Sequence, residues 1–153
     1  MSRIHRYEAA AAWSGSTAEG YEFYSRAHDV TCAPAETPLA LSADPAFRGD
    51  PRRLNPEQLL LAAASSCQLL SFLAVAARAR VDVASYTDDA EAVMPEDDRP
   101  VRLTEITLRP VITVRGGPPD ERLLHLVEVA HRECYIANSV STRITIEPRF
   151  VRI

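Results

Sequence analysis

The chain has 153 residues, 46% of them hydrophobic and 25% charged, which fits a single globular domain spanning residues 1–153. Its net charge of −4 argues against nucleic acid as a partner, because phosphate contacts need a clustered basic surface. All 17 basic residues are arginine, which excludes Schiff-base lysines, lysine-bound pyridoxal phosphate and Walker-type phosphate loops.

The first third of the chain is predicted to form short strands. Apolar and aromatic segments alternate there with turn signals at Ser14-Gly15 and Ala33-Pro34. The predicted strands are residues 4–13, 21–31 and 37–42. Residues 44–56 are rich in Pro, Asp and Arg, so we expect an irregular loop there.

A long helix follows this loop. Asn55 is a suitable N-cap, Pro56 suits the first helical position, and Gln58 completes a predicted capping box. From there to about Arg80 the sequence has no Gly or Pro and few β-branched residues. The helix is apolar nearly all round, which predicts a central, buried helix.

The same helix contains the longest apolar segment of the chain, residues 59–77. The polar residues that interrupt this segment are Ser65, Ser66, Cys67, Gln68 and Ser71. A bilayer span rarely tolerates so many polar groups, so we expect no membrane partner. The N-terminus lacks the apolar stretch of a signal peptide, which predicts a cytoplasmic location.

The second half is predicted to contain one more helix between strands. The predicted strands are residues 81–94, 101–115 and 142–153. A charged turn at 95–100 separates the first two. The helix starts at Pro118-Pro119-Asp120 and ends at Asn138-Ser139. The order β-β-β-α-β-β-α-β groups the strands together, which predicts an α+β fold.

The chain has three cysteines, an odd number without CxxC spacing. They are Cys32, Cys67 and Cys134. A scaffold of structural disulfides is therefore not expected. Cys134 follows Leu123, Val127 and Ala130 on the apolar stripe of the second helix.

Cys67 has two interpretations, a buried packing thiol or a reactive nucleophile. A thiol with an ordinary pKa near 8.5 is only about 3% ionised at pH 7, and burial lowers that fraction further. The thiol lies about twelve residues into the helix, too far from its N-terminus for the helix dipole to help. A reactive Cys67 would therefore need a nearby cation, which in a chain without lysine is Arg or protonated His.

Three arginines and a glutamate precede Cys67 in the loop and the first helical turn. They are Arg48, Arg52, Arg53 and Glu57. They are either solvated surface charges or parts of a site. Glu57 and Cys67 lie about 15 Å apart along one helix. If they cooperate, a partner chain must bring one to the other.

The remaining candidates are weaker. His131 and Cys134 are three residues apart, a spacing that suits two ligands of one metal ion, but no second pair is evident. Cys32 lies in a strand or turn without charged neighbours, and we assign it no role.

The order and spacing of several motifs resemble the OsmC-like proteins and, more broadly, the OsmC/Ohr thiol-dependent hydroperoxide reductases of bacteria. The resemblance covers most of the chain. Its motifs are Trp13-Ser14-Gly15, Tyr24-Ser25-Arg26-Ala27-His28, residues 42–50 (SADPAFRGD), Asn55-Pro56-Glu57-Gln58-Leu59-Leu60 leading to Ser66-Cys67, Ala130-His131-Arg132-Glu133-Cys134, and Ile136-Ala137-Asn138-Ser139-Val140.

The resemblance implies an intertwined homodimer with long central helices between curved antiparallel sheets. It implies a peroxidatic cysteine, matched by Cys67, and a resolving cysteine, matched by Cys134, which form a disulfide during turnover. An Arg and a Glu complete the family's site, and they match Arg48 and Glu57. The substrate would be an organic, and possibly an inorganic, hydroperoxide. The reductant would be a lipoyl protein or a small dithiol, and no metal, flavin or haem cofactor is expected.

Two positions depart from the pattern of close relatives. Gln68 follows Cys67 where many relatives have His, and Gln58 replaces a second Glu. Arg52 and Arg53 remain alternatives to Arg48 because the length of the loop varies between relatives. Two other functions stay open: an OsmC-like dimeric stress-response or binding module with little catalytic activity, and a metal-binding regulator that uses His131 and Cys134.

Overall fold

The computed structural model describes residues 2–153, and its mixture of two helices and open sheets confirms the predicted α+β class. The elements in chain order are β1 (Ala10–Ala12), β2 (His28–Thr31), β3 (Leu39–Leu41), α1 (Pro56–Arg78), β4 (Val83–Asp88), β5 (Glu91–Val93), β6 (Glu105–Leu108), β7 (Pro110–Val114), α2 (Asp120–Glu133), β8 (Arg143–Ile146) and β9 (Arg149–Arg152). They fall into an N-terminal unit that ends at Leu59 and a C-terminal unit, Leu60–Ile153.

The N-terminal unit contains an antiparallel sheet in the order β1–β2–β3. Ala10 lies opposite Thr31 across the first pair, and His28 lies opposite Leu41 across the second. All three strands are shorter than the sequence predicts. Residues 2–23 are exposed throughout, so the aromatic and apolar side chains there have no core face that would extend the strands.

Helix α1 begins at the predicted capping box. The backbone N–H of Gln58 donates to Asn55 Oδ1 at 2.8 Å, and the backbone N–H of Asn55 donates to Gln58 Oε1 at 3.0 Å. The two bonds satisfy donors that the first helical turn leaves free. The helix ends at Arg78, and Arg80 has a left-handed φ of 58°, which breaks the helical path.

The prediction of a helix buried all round holds on one face of α1 only. Its buried residues are Ala64, Gln68, Phe72, Val75 and Ala76. Leu70 is 62% exposed and Leu73 39%. By length and composition alone α1 could cross a bilayer, a criterion that core helices of globular proteins also meet. The face of α1 that carries Leu70 and Leu73 is thus apolar but exposed.

The three strands predicted in the C-terminal unit are each divided in two. They form two three-stranded sheets, in the orders β4–β7–β9 and β5–β6–β8. The pairs β4–β7 and β5–β6 are antiparallel, as predicted, but β6–β8 and β7–β9 are parallel. The expectation of wholly antiparallel sheets is wrong here because α2 lies between β7 and β8 and supplies the crossover that parallel strands need.

Arg109 lies where the predicted strand 101–115 breaks, and it links the breaks of all three strands. Its backbone N–H donates to Asp88 Oδ1 at 2.7 Å. Its guanidinium bonds to Glu91 and to Glu147, each at 3.1 Å. No glycine marks this break in the sequence, which is why periodicity alone predicts one continuous strand.

The core of the C-terminal unit joins α1, α2 and β7. Its buried residues are Phe72, Val75, Ala76, Ile112, Val114, Leu123, Leu126, Val127 and Ala130. The predicted apolar stripe of α2 is therefore confirmed. Helix α2 ends earlier than predicted, at Glu133, and Cys134 has extended backbone angles as its C-cap. A short 3-10 turn, Ala137–Ser139, follows.

Candidate active site

The C-terminal unit brings Cys67 and Cys134 together. Cys67 is half-buried in the middle of α1, and Cys134, at the end of α2, is 1% exposed. Both are free thiols, and their side chains are hydrogen-bonded to each other. The two sulfurs are therefore neighbours before any oxidation takes place.

Burial raises the pKa of the Cys67 thiol, but hydrogen bonds outweigh burial and lower the pKa below its usual value. The donors, in decreasing order of effect, are the backbone of Ile136, the thiol of Cys134, the backbone of Tyr135 and the hydroxyl of Ser71. None of these groups is a cation. Hydrogen-bond donors of the same unit therefore provide stabilisation that the sequence analysis assigned to Arg or His.

The segment after α2 is held so that its backbone can serve the thiol. Asn138 N–H donates to Cys134 O at 3.1 Å, and Ser139 N–H donates to Ile136 O at 3.0 Å. The Ser139 hydroxyl also donates to Tyr135 O at 2.6 Å. These bonds use the carbonyls of the turn and leave the N–H groups of Tyr135 and Ile136 for the sulfur of Cys67.

Burial raises the pKa of Cys134, and a negative charge on Cys67 raises it further, although the backbone N–H groups of Ala137 and Ile136 act in the opposite direction. The two shifts divide the roles of the thiols. Cys67 is the thiol that ionises first, and Cys134 stays protonated and donates to it. This division is the one that a nucleophile and its resolving partner need.

Four polar side-chain atoms in the C-terminal unit are buried without a hydrogen-bond partner among residues 2–153. They are Gln68 Oε1, Tyr86 Oη, Asp98 Oδ2 and His131 Nδ1. The amide nitrogen of Gln68 does have a partner, the carbonyl of Val127 at 3.4 Å. Burial lowers the pKa of His131 and so favours the neutral ring.

Sequence reasoning missed Ser71 and the backbone donors. Ser71 follows Cys67 by four residues, so the two lie on one face of α1, and a helical side chain leans toward the N-terminus. This spacing of four residues in the sequence could have indicated Ser71 as a neighbour of Cys67. The N–H groups of Tyr135 and Ile136 carry no signal, because every residue except proline has the same backbone donor.

The N-terminal unit holds the other two predicted site residues. Arg48 has a left-handed φ of 65° at the end of the 3-10 turn Pro45–Phe47, and its guanidinium pairs with Glu22. The Arg48 side chain is 53% exposed. Glu57 is half-buried in the first turn of α1. Within this unit Arg48 is thus paired with Glu22, whereas the family resemblance groups it with Glu57 in one site.

The alternative Arg52 is engaged by a neighbour. Its guanidinium donates to Asp50 Oδ1 at 3.0 Å and to Oδ2 at 2.9 Å. This forked hydrogen bond is the main reason why the pKa of Asp50 falls to about 2. Arg52 therefore shapes the loop in this chain, and Arg53, the third candidate, is half-buried.

A cavity of about 380 Å³ opens in the N-terminal unit, and its lining is mainly apolar with a few polar groups. Trp13, Tyr24 and Phe47 line it together with Arg26 and Glu57. The Arg26 guanidinium stacks on the Tyr24 ring at 3.8 Å. The sequence analysis noted Tyr24 and Arg26 only as parts of a motif and did not predict this cavity.

His28 adds one polar group to the same cavity. Its Nδ1 lies 2.8 Å from the carbonyl oxygen of Arg26, so Nδ1 carries a proton and donates it to that oxygen. No group of three His, Cys, Asp or Glu side chains suited to a metal ion occurs in residues 2–153. The pair His131 and Cys134 thus has no third ligand within that range.

Comparison with known proteins gives a consistent result. The family model of OsmC-like proteins matches residues 49–149. An OsmC-like protein of unknown function from Vibrio cholerae shares 31% identity, with a TM-score of 0.85 over 95% of this chain and 99% of its own. Comparison with curated proteins gives no significant match.

Two other solved structures share the fold at lower identity. An organic hydroperoxide resistance protein from Elizabethkingia anophelis is 19% identical, with a TM-score of 0.74 over 100% of both chains. One from Legionella pneumophila is 17% identical, with a TM-score of 0.69 over 98% of this chain and 99% of its own. At these identities the likeness is one of fold.

Proposed function

This chain belongs to the OsmC-like protein family, and from that premise we propose that it is a thiol-dependent peroxidase that reduces organic hydroperoxides through Cys67 and Cys134. The observation that supports the proposal is the hydrogen-bonded thiol pair with opposed pKa shifts. A packing role for both cysteines would not require the two backbone donors and the Ser71 hydroxyl around one sulfur.

The proposed cycle begins at the Cys67 thiolate. Its sulfur attacks the terminal oxygen of the hydroperoxide, the O–O bond breaks, and the alkoxide takes a proton and leaves as an alcohol. Cys67 is then a sulfenic acid. The Cys134 sulfur displaces the sulfenic oxygen, which leaves as water with the thiol proton, and a disulfide forms. A dithiol then returns both cysteines to thiols by exchange.

Arg48 and Glu57, which the family resemblance assigns to the site of the two cysteines, are also part of this proposal. In a homodimer, a partner chain could supply these two residues to the thiol pair. The outer face of α1 supports such a dimer, since Leu70 and Leu73 are exposed on a helix of this length. Apolar residues in a contiguous exposed face are typical of a protein interface.

The reductant and the location remain parts of the proposal as well. We propose a lipoyl protein or a small dithiol as the electron donor and the cytoplasm as the compartment. A dithiol suits this disulfide because Cys67 is only half-buried and can be reached by the first thiol. The second thiol of the same molecule then completes the exchange, so no second reductant molecule has to bind.

A second candidate is a dimeric stress-response or binding module with little catalytic activity. The mainly apolar cavity of the N-terminal unit supports it, because a cavity of this size can hold a small molecule without any chemistry. Under this alternative Cys67 and Cys134 would contribute little or no peroxidase activity.

Peroxide consumption decides between the two candidates. The assay uses cumene hydroperoxide with dithiothreitol or dihydrolipoamide, and it compares the parent with Cys67→Ser, Cys134→Ser and, as the matched control, Cys32→Ser. Cys32 is exposed and lies in the other unit. We expect Cys67→Ser to abolish turnover and Cys32→Ser to leave it unchanged. Equal rates in the parent and Cys67→Ser would contradict a peroxidase.

Mass analysis tests the pairing directly. After one equivalent of cumene hydroperoxide, we expect the parent to lose about 2 Da and to yield a peptide that links Cys67 to Cys134. The Cys134→Ser variant should stop at a sulfenic acid on Cys67. A parent protein that also stops there would remove Cys134 from the cycle.

A further inference from the structure

Gln68 is a polar side chain on the buried face of α1, and it directly follows Cys67. The residue is only 1% exposed. Its Nε2 donates to the carbonyl oxygen of Val127, in α2, at 3.4 Å. Gln68 therefore links the helix that carries Cys67 to the helix that leads to Cys134.

A glutamine is an unfavourable residue for this position. The bond from Nε2 leaves Oε1 without a hydrogen-bond partner among residues 2–153. A methionine of similar length would fill the site without a buried, unpaired oxygen. Packing alone therefore does not explain the glutamine, and the bond to Val127 is an interaction that an apolar side chain could not make.

The bond is not needed to satisfy the carbonyl of Val127. Val127 lies inside α2, so its oxygen already accepts the helical bond from the backbone N–H of His131. A carbonyl oxygen has two lone pairs, and the Gln68 amide uses the second one. What the bond adds is a fixed position of α2 against α1.

The other contacts between α1 and α2 define this position less sharply. The core cluster that joins the two helices consists of apolar side chains, and apolar packing is non-directional. A second polar link, from Arg78 to Glu133 at 2.5 Å, joins side chains that are 61% and 50% exposed. An exposed ion pair of this kind is weak. The bond from Gln68 to Val127 is thus the buried, directional link between these helices within residues 2–153.

The position of α2 matters because three of the four donors to the Cys67 sulfur come from the end of this helix. They are the thiol of Cys134 and the backbone N–H groups of Tyr135 and Ile136. The fourth donor, Ser71, belongs to α1 itself. A shift of α2 by about 1 Å would weaken the first three bonds, since hydrogen bonds fade steeply beyond their normal length, and would leave the bond from Ser71 in place.

We propose that Gln68 is a positioning residue for the thiol pair, because its amide holds α2 where Cys134 and the segment after it face the sulfur of Cys67. This inference rests on the peroxidase cycle proposed above, in which Cys67 ionises and then joins Cys134. In coiled coils a single buried polar residue fixes the register of packed helices at some loss of stability. Gln68 acts in the same way between α1 and α2.

The test replaces Gln68 by methionine, which removes the donor and keeps the length of the side chain. The alkylation rate of Cys67 by iodoacetamide is measured against pH and read out by peptide mapping, so peroxide chemistry is not involved. In Gln68→Met we expect the profile to move upward by about half a pH unit, a roughly threefold lower rate near pH 7. The melting temperature should stay equal or rise, because the unpaired Oε1 is gone.

Val75→Ala is the matched control. Val75 lies on the same helix and belongs to the apolar core cluster that joins α1 to α2. Its truncation removes packing but no directional bond, so the melting temperature should fall while the alkylation profile of Cys67 stays as in the parent.

Double variants separate positioning from a general loosening of the fold. In a Gln68→Met background the Cys134 thiol is already displaced, so Cys134→Ala should move the Cys67 profile less than it does in the parent. Ser71→Ala should move the profile equally in both backgrounds, because Ser71 and Cys67 lie on one helix.

An unchanged profile in Gln68→Met would overturn the role of Gln68, and so would shifts of Gln68→Met and Cys134→Ala that simply add. A lower melting temperature with a shift no larger than that of Val75→Ala would overturn it in favour of packing. If Gln68→Met shifts the profile but the parent does not consume cumene hydroperoxide, the peroxidase proposal is refuted while the positioning role of Gln68 stands.

Discussion

The thiol of Cys134 is a hydrogen-bond donor to the sulfur of Cys67, although Cys67 lies in the middle of α1 and Cys134 directly follows the end of α2. Burial raises the pKa of both thiols, but only at Cys67 do hydrogen-bond donors outweigh it. The donors around Cys67 make the difference. One sulfur of the pair is therefore prepared to carry a negative charge and the other to keep its proton.

Removing the thiol donor should weaken the Cys67 thiolate. The pKa of Cys67 lies below its usual value, so the thiolate forms at a lower pH than in an ordinary cysteine. In Cys134→Ala we expect the alkylation profile of Cys67 to move upward by about one pH unit. Iodoacetamide labelling at several pH values, read out by peptide mapping, measures this. Cys32→Ala is the control, and a profile unchanged in Cys134→Ala would contradict the hydrogen bond.

Ser71→Ala should have a smaller effect in the same direction, because the Ser71 hydroxyl is the last of the donors in its effect on Cys67. We expect the alkylation rate of Cys67 near pH 7 to fall by about threefold. Ser66→Ala is the matched control, an exposed serine next to Cys67 on the same helix. A hydroxyl that instead bonds the carbonyl of its own helix would leave the labelling rate of Cys67 as it is in the parent.

The half-buried His131 should lower the free energy of unfolding at mildly acidic pH. Burial lowers its pKa in the folded chain, so the unfolded chain, with a pKa near 6.5, takes up the proton first as the pH falls. The free energy of unfolding should therefore decrease as the pH drops below about 6.5. Urea titrations at pH 7.5 and 5.5 measure this change. In His131→Gln the difference between the two pH values should shrink, whereas His5→Gln, at an exposed position, should keep it.

Gly49→Ala should disrupt the loop that carries Arg48. A Cβ at this position would lie 1.5 Å from the carbonyl oxygen of Ala43, and that atom is backbone and cannot rotate away. The N–H of Gly49 donates to Asp44 O at 3.0 Å, so the loop must rearrange. We expect amide hydrogen exchange to speed up at residues 47–49. Gly116→Ala is the control: its left-handed φ of 63° makes alanine unfavourable there too, but Gly116 lies in the C-terminal unit, so exchange at residues 47–49 should not change.

Local signals in the sequence predicted the elements that depend on neighbouring residues. The capping box of Asn55 and Gln58 is confirmed because its two hydrogen bonds join residues three apart, whatever packs on the helix. The apolar stripe of α2 is confirmed because the helical repeat of one continuous segment fixes which of its residues share a face. The division of the strand 101–115 was not predictable, because Arg109 is placed by Glu91 on β5 and by Glu147 in the break between β8 and β9.

By itself the sequence determined the α+β order of the elements, the start of α1, the position of Cys67 within α1 and the apolar stripe of α2 that leads to Cys134. Only the tertiary structure decided which of these cysteines ionises. The reason is physical: a pKa depends on every group within a few ångströms of the sulfur, and the donors around Cys67 come from Ser71 on its own helix and from the segment after α2. The backbone donors cannot be recognised from the residue type, because every residue except proline has the same N–H group, and only folding brings them close to the sulfur.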